Sequence, residues 1–360
     1  MNTKVKRFAL LLAVLALTGM LTLGAFAAEE KTSGDFTYVV ENEAAVITAY
    51  SGEATDVTIP ATLGGYPVKE IGQYVFYYST QIKSLTLPEG IEKIGDYAFG
   101  GLGGLKKLKI PDSVKIIGEG AFSEIGITEL TVPETVELLG NSAFSGCSKL
   151  KKAVLLNKME KLPNAIFAGC GQLTEVNIPD TVNEIGESAF ANCSELPAIN
   201  LPSGLTVIGK SAFSSCEALG NITLPEGLTK IGDSAFFHTS FKEITVPASV
   251  ESLGRYVFDM CDNLETATFF AKIEKIEDGV FSDCNNLKNV KLPDTVKEIG
   301  EYAFSYCKEL KKINLPAELK TIGFCAFKDC RSLTRIVLPS KVTSISERAF
   351  SVCSFFSPVP

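Results

Sequence analysis

The chain has 360 residues, 46% of them hydrophobic, and a formal charge of −8 at pH 7. An acidic chain of this kind is a poor candidate for nucleic acid or anionic membrane surfaces. Its one histidine, His238, has no companions at metal-ligand or triad spacing, and tryptophan is absent.

Lys4, Lys6 and Arg7 precede an apolar run from Phe8 to about Leu23, and Ala25-Phe26-Ala27 comes next as a small-x-small cleavage site. This layout predicts a secretory signal peptide over residues 1–27. The alternative is an uncleaved membrane anchor, since the run is nearly long enough to span a bilayer. Cleavage takes the charge from −8 to −11, because no acid precedes the cut. No second apolar segment of spanning length is present. The mature chain is therefore expected to be secreted or displayed at the cell surface as a monomer, without inserting into a membrane.

Residues 28–56 contain Phe36-Thr37-Tyr38, Ala45-Val46-Ile47 and Tyr50, and read as a cap hairpin covering the first unit of a repeat array. From residue 57 to residue 360 the chain repeats. A phenylalanine recurs at Phe76, Phe99, Phe122, Phe144, Phe167, Phe190, Phe213, Phe236, Phe258, Phe281, Phe304, Phe327 and Phe350. Ten of the intervals are 23 residues and two are 22. A period of this size marks a solenoid, in which each unit buries its apolar side against its neighbours.

One unit shows the physics. Val176 and Ile178 alternate with Glu175 and Asn177, the period-2 pattern of a half-buried strand. Pro179 ends that strand because it has no N–H to donate. Val182 and Ile185 return to the core on the opposite wall, Gly186 is read as permitting a tight turn, and Ala189-Phe190 plugs the coil. No stretch is long enough for a crossover helix. The predicted fold is a β-rich solenoid of about thirteen 23-residue coils, with a parallel strand sheet on one face and short strands or 3₁₀ turns on the other. At strand spacing that sheet would be on the order of 60 Å long.

Nine of the ten cysteines, Cys147, Cys170, Cys193, Cys216, Cys261, Cys284, Cys307, Cys330 and Cys353, stand three residues after the repeat phenylalanine. In an exported chain cysteines usually pair. Parallel coils keep neighbouring Cβ atoms near 4.7–4.9 Å, wider than the roughly 3.8 Å of a disulfide, so buried free thiols are favoured over disulfides or a metal. Cys325 leaves the ladder and is the expected exposed thiol.

The motif Leu-x-x-Ile-x-Leu-Pro, then Ile-Gly-x-x-Ala-Phe-x-x-Cys, resembles the BspA-type leucine-rich repeat of bacterial surface proteins, over about residues 57–356. The resemblance implies an adhesin-like surface protein that contacts host proteins or other cells.

The irregularities are paired. The two 22-residue intervals come after Phe122 and Phe236, and both omit the cysteine. The next units lose the Leu-Pro pair to Leu155-Leu156 and Phe269-Phe270, 114 residues apart. We read this as a five-repeat block, 122–235, duplicated as 236–349. At the C-terminus Phe356 takes the leucine slot, and Pro358 and Pro360 flank Val359. Prolines there would block pairing at a free edge; a truncated gene is the alternative.

No phosphate-cradling glycine cluster is visible. Asp262-Asn263 and Asp283-Cys284-Asn285-Asn286 offer oxygen donors of the kind calcium takes, but lack a full ligand loop and read as ordinary turns. No catalytic residue, metal ligand or cofactor is therefore nominated, and the protein is not expected to be an enzyme. The strand face remains. Candidate ligand-binding residues on it are Lys107, Lys109, Lys152, Leu156, Asn177, Asn200, Asn221, Thr223, Thr245, Thr268, Phe270, Asn289, Lys291, Lys312 and Asn314. Leu156 and Phe270 either dock a partner from the rim or turn inward as core. Function is read as protein or glycan binding through this face, with a structural spacer of the cell envelope as the alternative.

Overall fold

The structure is a computed structural model and describes residues 29–354. The leader reading over residues 1–27 and the reading of Phe356, Pro358, Val359 and Pro360 lie outside the described residues.

Strands β1 (Lys31–Ser33), β2 (Phe36–Glu41) and β3 (Ala44–Tyr50) form an antiparallel meander, and β3 then pairs in parallel with Tyr66–Ile71 of the first coil. From there thirteen coils, numbered here by their phenylalanines, stack with parallel pairing and no helix among the described residues. The family-like motif thus builds the expected solenoid, with three differences from the sequence reading.

The first concerns the strand face. Its pairing is not one long sheet but patches: coils 1–2, coils 4–6, coils 9–11, and a single bridge between Ala198 and Asn221. The opposite wall, built from two-residue strands such as Lys93–Ile94 and Glu184–Ile185, is the more continuous ladder. It runs from β3 through coil 4, through coils 5–9, and through coils 10–13.

The second concerns the glycine after the isoleucine. It is not needed for a turn, because it has no positive φ. A Cβ on Gly209 would lie 2.7–2.8 Å from Gly186 C, Glu187 N and Ile185 O of the coil before. A residue without a Cβ allows this approach without a clash, although at the last coil Ser346 holds the same slot and keeps the equivalent hydrogen bond, Ser346 N to Ile322 O at 2.9 Å. The ladder on this wall breaks where that slot holds Pro163 or Glu277. Both come after 22-residue coils, so the irregularities read from the sequence fall where the wall divides. At both junctions the strand face compensates with four paired positions, Glu129–Val132 against Lys152–Leu155 and Glu243–Val246 against Thr266–Phe269.

The third is the plug. Instead of a 3₁₀ turn, the residues two before and two after each phenylalanine take positive φ, as at Ser188 (55°) and Asn192 (60°) around Phe190. This lets three N–H groups per coil, as at Ser188, Phe190 and Asn192, donate to carbonyls of the next coil at 2.8 Å. The pattern holds at all twelve junctions, always with the donor in the earlier coil. The turn places the rings in register. Consecutive phenylalanines stack with centroids 5.1–6.1 Å apart and planes within 23°, and Tyr50 of the cap meets Phe76 at 4.9 Å. Each buried ring contributes about 2–3 kcal/mol by leaving water and about 1 kcal/mol by stacking.

All ten cysteines are free and buried. The nine ladder thiols each donate to the carbonyl of the phenylalanine that opens the preceding turn, at 3.0–3.3 Å. Cys325 corrects the sequence reading: it is 3% exposed. It occupies a positive-φ slot whose neighbours one coil away are Tyr302 and Arg348. The short thiol is buried in this slot, whereas the longer Tyr74 and Tyr256 in equivalent slots are 44% and 39% exposed.

Candidate functional site

The strand face projects alternate residues outward. Lys107, Lys109, Leu156, Asn177, Asn200, Asn221, Thr223, Thr245, Phe270, Asn289, Lys291, Lys312 and Asn314 are exposed on it; Lys152 and Thr268 are half-buried. Several are already engaged. Lys109 pairs with Glu89 (3.1 Å) and Lys152 with Glu175 (2.6 Å). The Asn177 amide accepts from Leu155 N at 2.8 Å and donates to Leu155 O at 2.9 Å, so it serves the junction between coils 5 and 6.

Leu156 and Phe270 do not turn inward. Each is 53% exposed, while Leu155 and Phe269 beside them are 2% exposed and supply the core. Phe270 meets another candidate, since the Lys291 ammonium lies 5.0 Å from its ring centroid. Leu156 lines a shallow groove with Lys109, Glu129 and Glu134.

Grooves between coils divide by charge. Four of five described grooves carry carboxylates in their lining, among them Glu137 and Glu160, Asp112 and Glu129, Glu226, and Glu175 and Asp180. The fifth, across coils 11–13, has none. Lys288, Lys311, Lys312 and Arg335 line it, with Asn289, Asn314 and Thr334 between them and Leu315, Ala317, Val337 and Pro339 beyond. Lys288 is held by Glu265 at 2.8 Å, and that pairing lowers the Glu265 pKa. Lys311, Lys312 and Arg335 have no ion-pair partner among the described residues.

Like charges accompany the loss of pairing there, although this face is also unpaired between Lys107 and Glu129, which are opposite in sign. In the patch of coils 4–6 the outward residues opposite one another are Glu129, Lys152 and Glu175, alternating in sign. In coils 12 and 13 the equivalent residues are Lys312 and Arg335, and like charges opposite each other oppose a ladder. No strand forms on this face in either coil. The sequence reading found Asn289, Lys312 and Asn314 but missed Lys311, whose signal was the basic run Lys308, Lys311, Lys312.

Elsewhere the chemistry is quiet. Burial pushes the thiols of Cys216 and Cys261 up to about 12, away from the reactive thiolate. His238 sits half-buried in a positive-φ slot with Nδ1 3.8 Å from Glu217 Oε1. No group of three or more His, Cys, Asp or Glu fit to hold a metal occurs among the described residues. Burial raises Asp259 to about 6; its Oδ1 is buried without a hydrogen bond. The sequence reading also missed a tyrosine cluster on the outer turns of coils 1 and 2. Tyr74 stacks on Tyr97 at 5.4 Å, and Tyr77 stands edge-on to Tyr74, Tyr78 and Tyr97. Tyr97 donates to Glu119 and Tyr78 to Glu124, both at 2.9 Å, and these bonds raise both phenols, Tyr97 to about 12.

The repeat geometry has counterparts among known proteins. The BspA type leucine rich repeat region, in six copies, matches residues 69–197, 184–311 and 251–359. A leucine-rich repeat protein from Bacteroides ovatus is 29% identical, with a TM-score of 0.75 over 91% of this chain and 93% of that one. A leucine rich cell surface protein from Faecalibacterium prausnitzii is 26% identical, with a TM-score of 0.51 over 91% and 87%. A leucine-rich repeat protein from Eubacterium ventriosum, 21% identical with a TM-score of 0.54 over 91% and 95%, shares the fold. None of the curated proteins compared matches the chain.

Proposed function

The chain belongs to the BspA-type leucine-rich repeat family, and from that premise we propose that it is an exported, cell-surface protein that binds a protein or glycan partner through its strand face. The observation that carries this reading is the groove of coils 11–13, where three cations without ion-pair partners among the described residues meet in one groove whose lining holds no carboxylate. Leaving charges uncompensated gains the fold nothing, whereas a partner of opposite charge gains both affinity and rate of encounter. The stacked core holds these side chains on a rigid frame, which lowers the ordering cost of binding. Export rests on the leader layout of residues 1–27, and surface display has a parallel in the F. prausnitzii relative. The protein acts as a scaffold, with no catalysis of its own.

The test is binding of the chain lacking residues 1–27 to a panel of matrix proteins and glycans, measured by surface plasmon resonance. A saturable partner that loses at least tenfold in affinity when strand-face residues are changed supports the reading. No saturable binding across the panel would favour the spacer.

A further inference from the structure

We infer that the groove of coils 11–13 receives an extended, acidic segment of a partner protein. The inference rests on the proposed strand-face binding and names the chemistry of its ligand. The sign of the groove is local, since the whole chain carries −8. Four cations line it and no carboxylate does, in contrast to the other described grooves. Lys311, Lys312 and Arg335 are therefore available to acidic side chains at short range.

Three further features choose a peptide over an anionic glycan. The lining contains no aromatic ring on which a pyranose could stack. The groove is instead graded along the strand direction: cations at Lys311, Lys312 and Arg335, then aliphatic surface at Leu315, Ala317 and Val337. Val337 is 65% exposed, which is high for an aliphatic residue beside a groove. Coils 12 and 13 also form no strand on this face, so their main-chain groups there are not committed to a ladder. An extended segment with two or three carboxylates, and an aliphatic side chain about two residues later, matches this grading, since alternate strand residues lie about 7 Å apart.

The experiment uses the chain lacking residues 1–27 and a fluorescein-labelled decapeptide, four glutamates and then alternating valine and serine, read by anisotropy. A glutamine version of the peptide and chondroitin sulfate are the comparison ligands. The expected result is saturable binding of the acidic peptide, weakened at least tenfold between 50 and 300 mM salt. It should weaken at least tenfold in the triple variant Lys311→Gln, Lys312→Gln, Arg335→Gln, and about threefold in Val337→Ser, with melting unchanged in both. Equal binding of the glutamine peptide, an unchanged triple variant, or tighter binding of chondroitin sulfate than of the acidic peptide would each overturn the inference. The parent reading fails separately. If a panel partner is lost in Leu156→Ser with Phe270→Ser but retained in the triple variant, the strand face binds and this groove is not its site.

Discussion

Gly209→Ala tests whether the glycine column is there for close approach. The added Cβ would sit 2.7–2.8 Å from three main-chain atoms of coil 6, at least 0.6 Å inside ordinary contact. These are backbone atoms that cannot swing aside, so the junction between coils 6 and 7 must open. Overpacking of this kind costs about 1–3 kcal/mol, and we expect about 2–3 kcal/mol because the neighbouring hydrogen bond from Gly209 N to Ile185 O (2.8 Å) lengthens too. The control is Gly204→Ala, where nothing lies within 4 Å of the new Cβ and φ is not positive. There the loss of unfolded-chain freedom should stabilise by about 0.4–1 kcal/mol. Urea denaturation monitored by circular dichroism reads both. Equal effects from the two substitutions would refute the argument, since only contact with coil 6 distinguishes them.

Denatured, unreduced protein should titrate close to ten thiols with a thiol reagent and native protein close to none; one fast-reacting native thiol at Cys325 would contradict its burial. Asp259→Asn should stabilise at pH 7. Burial raises this carboxyl from 3.8 to about 6, so its contribution is complete below pH 3.8 and lost as pH rises to 6. The full shift would correspond to about 3 kcal/mol, and partial exposure brings it to about 1 kcal/mol. A wild-type urea midpoint that does not fall relative to the variant between pH 4 and 7 would count against it. Leu156→Ser with Phe270→Ser should change stability by no more than about 0.5 kcal/mol each, because both side chains point to solvent; a large drop in Tm would return them to the core.

Much of the fold was readable from the residues, and the limits are physical. The phenylalanine period located every coil because one ring per turn must stack on the next. The same period could not say why a glycine comes after the isoleucine, since a turn and a close approach demand the same residue. Pro163 and Glu277 were the clue: a turn needing positive φ would not accept proline. Cys325 was misjudged because the slot alone does not set exposure: the thiol there is 3% exposed, while Tyr74 and Tyr256 in equivalent slots reach 44% and 39%. Lys312 and Asn314 were found by alternation alone. That Lys312 and Arg335 lack partners required knowing which charges face each other across coils, and Lys311 was missed because strict alternation assigns it away from the face.

The three hydrogen bonds that each phenylalanine turn sends to the next coil point toward the C-terminal end of the stack, whereas three N–H groups on the opposite wall point back, as from Thr206 N and Val207 N to Asn183 O and from Gly209 N to Ile185 O at 2.8–3.2 Å. A coil thus offers donors forward along one edge and backward along another. Unlike the peptide dipoles of an α-helix, which add head to tail, these two columns oppose, so lengthening the stack accumulates no comparable charge at its ends. Every regular junction also presents the same donors and acceptors as the next one. A coil removed or inserted between two such junctions leaves its neighbours facing matching surfaces, with no buried main-chain group newly orphaned. The length of the rod is therefore an adjustable quantity, and the junctions that differ from the rest are those at Pro163 and Glu277, where the opposite-wall ladder is interrupted and the strand face carries the pairing instead.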